Sequence, residues 1–189
     1  KERGFKEFEE ILAGYYIRNS QPDRALELTK YDLTKARALM DLERNEEAFE
    51  LINKIKDSAK EQNVIHKLLA QYYFQKNDTE NAFKEIEEYA KLEPNSPLIY
   101  QMRALIYEKN GDSFNEHVNW GKYNTLRGNK DVALNEYMIA YQFKNDDVDL
   151  IETIATQLEV SKDKTKNGGL SPVCVSYYLT GKEDMRRLR

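Results

Sequence analysis

The sequence predicts an all-α chain: an α-solenoid of stacked antiparallel helix pairs, followed by a non-repeat C-terminal tail. Three observations carry this. Apolar residues recur at i, i+3, i+4 and i+7 over most of the chain, the spacing of one helix face. A helix–turn–helix pattern recurs after 34 residues, with Leu42 to Ala48 aligning without a gap on Lys76 to Ala82. The 189 residues are 40% hydrophobic, with 13 Tyr and 7 Phe, enough to bury a core. Only 8 Gly and 4 Pro are present, too few for collagen-like or low-complexity sequence.

Several function classes are disfavoured at once. The net charge is −4, whereas a general nucleic-acid binder needs an excess of cations to displace counterions from phosphates. A single Cys excludes an intrachain disulfide framework and a Cys-rich zinc module. No apolar run approaches the roughly 18 residues of a membrane span. The chain opens at Lys1 with neither an initiator Met nor a signal-peptide pattern, so Lys1 is expected to begin a fragment or a processed chain.

Residues 1–28 read as N-terminal capping helices. Phe5 to Ile17 is amphipathic, with Phe5, Phe8, Ile11, Leu12 and Tyr15 on one face. Pro22 suits the first turn of the next helix. Ala25, Leu26 and Leu28 then lead toward Leu33, either straight on or through a bend near Lys30. Residues 29–160 read as repeats. Leu33-Ala36-Leu39-Met40 and Ala48-Phe49-Leu51-Ile52-Ile55 make one helix pair within 29–62. Leu68-Leu69-Tyr72-Tyr73 and Ala82-Phe83-Ile86-Tyr89-Ala90 make the next within 63–96. Residues 97–160 are irregular. The helix from Pro97 to Asp112 fits the period, but the next Ala is due at 116, where Glu116 stands. The Ala signature returns at Ala133, 51 residues after Ala82, or one and a half periods. Trp120-Gly121 supplies the large–small pair of a first helix inside Phe114 to Arg127, where a second helix is due. The packing pattern is therefore expected to slip by one helix, with Gly121 at a close helix contact.

On these residues the chain resembles the tetratricopeptide repeat family. Within 63–96, Leu69, Ala70, Tyr73, Ala82, Ile86 and Pro94 occupy the family's large, small, aromatic, Ala, large and Pro positions, while Tyr89 replaces a usual Ala. Small residues at Ala70 and Ala82 let two helices cross closely. Pro94 stops the second helix and biases Glu93 away from the helical region. A narrower resemblance covers 98–160. Gly111-Asp112, Glu116-His117, Gly128-Asn129, Ala133 to Tyr141 and Leu150 to Leu158 are similar to the C-terminal repeat region of bacterial periplasmic zinc metalloproteases that assist outer-membrane assembly. The catalytic His-Glu-x-x-His of that family is absent from this sequence.

The tail, 161–189, changes character. Ser161 to Asn167 is polar, Gly168-Gly169 reads as a linker, and Val173 to Leu179 has β-propensity. From Lys162 onward there are 7 Lys or Arg against 3 Asp or Glu. A native extension, an expression remnant and a tethered peptide all fit this composition. Tyr177, Tyr178 and Leu179 are expected to anchor the segment in a repeat groove, its own or a neighbour's, which would allow self-association.

Catalytic chemistry finds no support. His66 and His117 lie on different helices, short of the three or four ligands a metal needs, so no metal or cofactor is expected. Cys174 lacks a His and an orienting group. Gly168-Gly169 lacks the setting of a phosphate loop. Glu46, Glu47, Glu85, Glu87 and Glu88 read as a solvated face.

Recognition remains. The family resemblance implies that set positions of the first helices point into a concave groove. Here these include Arg37, Val64, Lys67, Gln71, Phe74, Gln75, Leu98, Gln101 and Leu105, with Lys30, Leu33, Met40, Asp41, Glu108 and Lys109 at further such positions. Some are expected to cover the core instead. A subfamily clamps chaperone C-terminal carboxylates with Lys and Asn residues, but Leu33, Arg37 and Leu68 stand at those positions. The expected function is a protein- or peptide-binding scaffold in a bacterial assembly or quality-control setting, without nucleic acid and without a membrane span. The alternatives are the substrate-recruiting repeat domain of a periplasmic metalloprotease and a self-associating structural repeat. The first alternative implies the periplasm; otherwise the cytoplasm is expected.

Overall fold

The computed structural model describes residues 2–162, with side chains from 7 to 158. These residues form ten α-helices and no strand. In order they are α1 (Glu2–Arg18), α2 (Pro22–Leu28), α3 (Asp32–Asp41), α4 (Asn45–Ile55), α5 (Gln62–Gln75), α6 (Thr79–Leu92), α7 (Pro97–Lys109), α8 (Ser113–Leu126), α9 (Lys130–Phe143) and α10 (Val148–Lys162). The last helix carries on through Ser161 and Lys162, where the sequence reading places a linker. The segment with Cys174, Tyr177, Tyr178 and Leu179 lies outside the described residues.

The helices α3, α5, α7 and α8 stop where the backbone turns left-handed. Glu43, Asn77 and Gly111 have φ of 59°, 62° and 73° and are spaced by the repeat length of 34. Gly128, with φ 77°, follows after half that length, 17 residues. Each sits just past a helix, and the next residue's N–H returns to a carbonyl five residues back. Arg44 reaches Leu39, Asp78 reaches Tyr73, Asp112 reaches Tyr107 and Asn129 reaches Asn124, all at 2.9 Å. This closing bond satisfies carbonyls that the helix end leaves open and turns the chain back on itself. Two of the helices that follow, α6 and α8, start on side-chain caps. Asp78 accepts from the Asn81 N–H at 3.1 Å, and Asp112 from the Asn115 N–H at 3.0 Å. Pro22 opens α2, where a missing N–H is harmless.

The described residues divide into two compact units, one up to Ile106 and one from Tyr107 onward. In the first, α1–α2, α3–α4 and α5–α6 are hairpins, and α1 also touches α3, as α3 touches α5. One core cluster holds Ala36, Leu39, Ala48, Ile52, Ile65 and Leu69. A second holds Ala70, Ala82, Ile86, Tyr89, Ile99 and Met102. The alanines at 36, 48, 70 and 82 are fully buried, as expected where two helices cross too closely for a larger side chain. In the second unit α8 pairs with α9, α9 with α10, and Ala133, Tyr137, Ala140, Leu150 and Ile154 form the core.

One expectation is corrected, and of the two courses expected after α2 the structure shows the bend near Lys30. The apolar face of α1 points outward: Phe8, Ile11 and Tyr15 are 59%, 69% and 52% exposed. Ala13 is buried instead, against Ala25 and Ala38, because three small residues let α1 approach its neighbours more closely than an aromatic face could. α2 does not run into α3. The Thr29 N–H still bonds the Ala25 carbonyl, but its hydroxyl donates to Glu10 at 2.6 Å, and the break falls there.

The hairpins α5–α6 and α8–α9 share one register. Their helices have equal lengths of 14 residues, and every boundary is displaced by 51. α8 therefore carries two signatures. Its entry repeats that of α6 at a distance of 34, with the Asn81 and Asn115 amides each 2.7 Å from their capping Asp. Its interior pairs with α9 as α5 does with α6.

Candidate polypeptide-recognition face

The predicted groove residues fall into two groups. Val64 packs on the first core cluster, and Phe74 and Leu98 on the second. Met40 is 7% exposed and belongs to the core outright, a correction to its groove position: α3 is short, and the helices around it cover that side. The other residues keep open surface. Arg37, Asp41 and Gln75 are exposed, and Lys67, Gln71, Gln101 and Leu105 are half-buried.

α3 and α5 touch, and this brings Arg37, Asp41 and Lys67 within electrostatic range of one another. Arg37 and Asp41 lie one turn apart on α3, and Lys67 faces them from α5. Burial pushes the Lys67 ammonium below its ordinary value and the Arg37 cation pushes it further, while Asp41 opposes both. The Asp41 carboxyl is raised by the neighbours that displace water from it, against the pull of Lys67 and Arg37, although much of the residue stays exposed. Among the described residues no carboxylate oxygen comes within 4.0 Å of Lys67 or Arg37. Gln71 follows Lys67 by one turn on α5. Gln101 and Leu105 make the equivalent step on α7.

Both histidines are committed elsewhere. His66 Nδ1 lies 2.7 Å from Glu85 Oε2, and His117 Nδ1 lies 2.8 Å from Glu136 Oε2. Each pair bolts a first helix to a second, 19 residues on, at equivalent positions of the two matched hairpins. No set of three or more His, Cys, Asp or Glu side chains converges as metal ligands among the described residues.

Of the acidic residues read as a solvated face, Glu46, Glu47 and Glu88 are exposed and Glu85 and Glu87 are half-buried, and all of them also have partners. Glu87 receives both arms of the Arg103 fork at 2.7 Å, joining α6 to α7. Glu46 accepts from Tyr72 Oη at 3.0 Å and from Lys76, joining α4 to α5. Glu47 and Glu88 pair within their own helices, with Arg44 and Lys91. A sequence signal for the His–Glu bolts existed: a His and a Glu 19 apart occur twice, displaced by the same 51 residues as Ala82 and Ala133.

A scan against protein-family models finds no match for this chain, and a search of curated proteins finds none either.

Proposed function

We propose that the first unit is a tetratricopeptide-type stack that binds a segment of polypeptide on the face drawn from α3, α5 and α7, and that the chain carries out no catalysis itself. The observation behind this reading is the neighbourhood of α1, α3 and α5. In a stack of helix pairs the first helices of successive pairs form one layer, whose free side becomes a groove. The side chains that remain open there are mixed: cations at Arg37 and Lys67, amides at Gln71, Gln75 and Gln101, and an apolar side chain at Leu105. That mixture suits a bound segment whose main chain is held by amides and whose side chains alternate in kind. The resemblance of 98–160 to the repeat region of bacterial periplasmic metalloproteases supports reading the setting as bacterial assembly or quality control.

Random peptides displayed on phage and panned against the chain test this. The reading expects selected peptides to bind the wild type and to lose binding to Gln71→Arg and Leu105→Arg, at unchanged melting temperature. Selected peptides indifferent to both substitutions would overturn it.

A further inference from the structure

Lys67 is a half-buried cation within electrostatic range of another cation, Arg37, and among the described residues no carboxylate is close enough to pair with it. Elsewhere in the fold, cations at helix contacts find an anion. Arg103 reaches across a helix contact to Glu87, Lys76 to Glu46 and Lys54 to Asp32. Among the described residues Asp41 is the negative charge acting on Lys67, and it is shared with Arg37, so these three carry a net charge of one unit positive on a chain whose net charge is −4. Partial burial and like-charge repulsion both raise the free energy of the ammonium, and an incoming anion would relieve both.

Resting on the binding face proposed above, we propose that Arg37 and Lys67 form a subsite for a single acidic side chain, Asp or Glu, within the bound segment. The site lies between α3 and α5, and the amide-bearing row continues past it through Gln71 and Gln101. The bound backbone leaves the site in that direction, and the anion is taken to be a side chain, with a chain terminus as the outcome that would overturn it. Asp41 limits the charge the site accepts. One carboxylate completes a balanced set of two cations and two anions, and a second would meet an anion already in place. The partner sequence is expected to space its acids among apolar and amide residues rather than to run them together.

Four peptides decide this by fluorescence anisotropy, all built on alternating Leu and Gln. Two are capped at both ends, with a central Glu or a central Gln; a third is capped with a central Lys; a fourth has the central Gln and a free C-terminal carboxylate. The expected order places the central-Glu peptide about tenfold tighter than its Gln twin, with the Lys peptide weakest. Such a factor corresponds to about 1.4 kcal/mol. Lys67→Met and Arg37→Gln should each erase the Glu preference, whereas Lys67→Arg should keep it. Added salt should narrow the gap between the Glu and Gln peptides. Lys67→Met should also raise the melting temperature, since it removes a half-buried charge, and this rise guards against reading lost affinity as misfolding. Equal binding of the Glu and Gln peptides would overturn the acidic subsite and leave the binding face standing. Tighter binding of the free-carboxylate peptide would overturn it in favour of a chain terminus. No binding by any of the four, together with failure of the panned peptides, would overturn the face itself.

Discussion

The α5–α6 hairpin of the first unit and the α8–α9 hairpin of the second are built on one frame and filled differently. Both have two 14-residue helices, a left-handed residue after the first, and a His–Glu bolt between them. At the tightest crossing the first pairs Ala70 with Ile86, while the second places Gly121 at the Ala position and Tyr137 at the Ile position. A Cβ added to Gly121 would fall inside contact distance of the Tyr137 ring, which is 2% exposed and has no free space to move into. The frame thus tolerates exchange of bulk between partners as long as their sum is kept. The face positions differ more freely. Lys67 has Val118 as its counterpart, and Val118 packs on the core of the second unit. Turns and bolts define the hairpin; the exposed face decides what it can bind.

The largest test empties the second crossing. Tyr137→Ala should destabilise by about 3–5 kcal/mol, as other large aromatic deletions do, and should also remove the contact of its Oη with the Thr125 hydroxyl at 3.2 Å, leaving that hydroxyl its bond to the Gly121 carbonyl. Urea denaturation followed by circular dichroism gives the value. Next, Gly121→Ala should destabilise by about 1–3 kcal/mol despite its better helix propensity. Adding Tyr137→Ile to it imports the pair from the first hairpin, and the double variant should be more stable than Gly121→Ala alone. A double variant no better than the single would mean that bulk is not exchanged at this crossing.

The bolts come third. His66→Ala and His117→Ala should each cost about 1–2 kcal/mol, because each leaves a partly buried Glu without its partner. The second should cost more. His117 stacks on Phe143 at 6.0 Å and 11°, whereas Leu92 stands at the matching position of the first hairpin. Equal losses in thermal melts would show that the stack contributes nothing.

The smallest effect separates the caps. Asp78 caps α6, while Asn129 makes no side-chain cap on α9. Asn129→Asp should gain a few tenths of a kcal/mol from its charge at the helix start, read as a small rise in melting temperature. The Asn81 side chain, and after it the Asn81 backbone N–H, hold the Asp78 carboxyl below the usual carboxylate range. A carboxyl lowered by folding stabilises above its unfolded value and loses that contribution as the pH falls through its folded one. Asp78→Ala should therefore lower the melting temperature at neutral pH and make progressively less difference on the acid side of the ordinary Asp range.

Spacing made most helix positions readable: Phe114 to Arg127 corresponds to α8 at Ser113–Leu126. Leu150 to Leu158, which came from the family resemblance, lies within α10. The half-period slip was readable too, because Trp120-Gly121 and Ala133 keep their distances. What spacing could not show depends on a third helix. The outward face of α1 follows from alanines on α2 and α3. The α2 break follows from Glu10, 19 residues before the Thr29 it binds. The role of Glu87 comes from Arg103 on the next helix. The candidate face divides in the same way. Repeat register places Arg37 and Lys67 on one side of their helices, but only the packing of α3 on α5 brings Lys67 within range of the Arg37 and Asp41 pair.

The Gly121–Tyr137 contact also sets the order in which substitutions can accumulate there. Starting from the Ala–Ile pair of the other hairpin, enlarging the partner first drives a tyrosine ring into a methyl group, an overpacked intermediate about 1–3 kcal/mol less stable. Shrinking Ala to Gly first passes through a mild loss of roughly 1 kcal/mol, after which the ring has room. Reversal follows the opposite order, with the ring removed before the methyl returns. A chain drifting between the two solutions is thus channelled through the small-residue intermediate, and random single-step libraries of this hairpin should recover Gly with Ile far more often than Ala with Tyr.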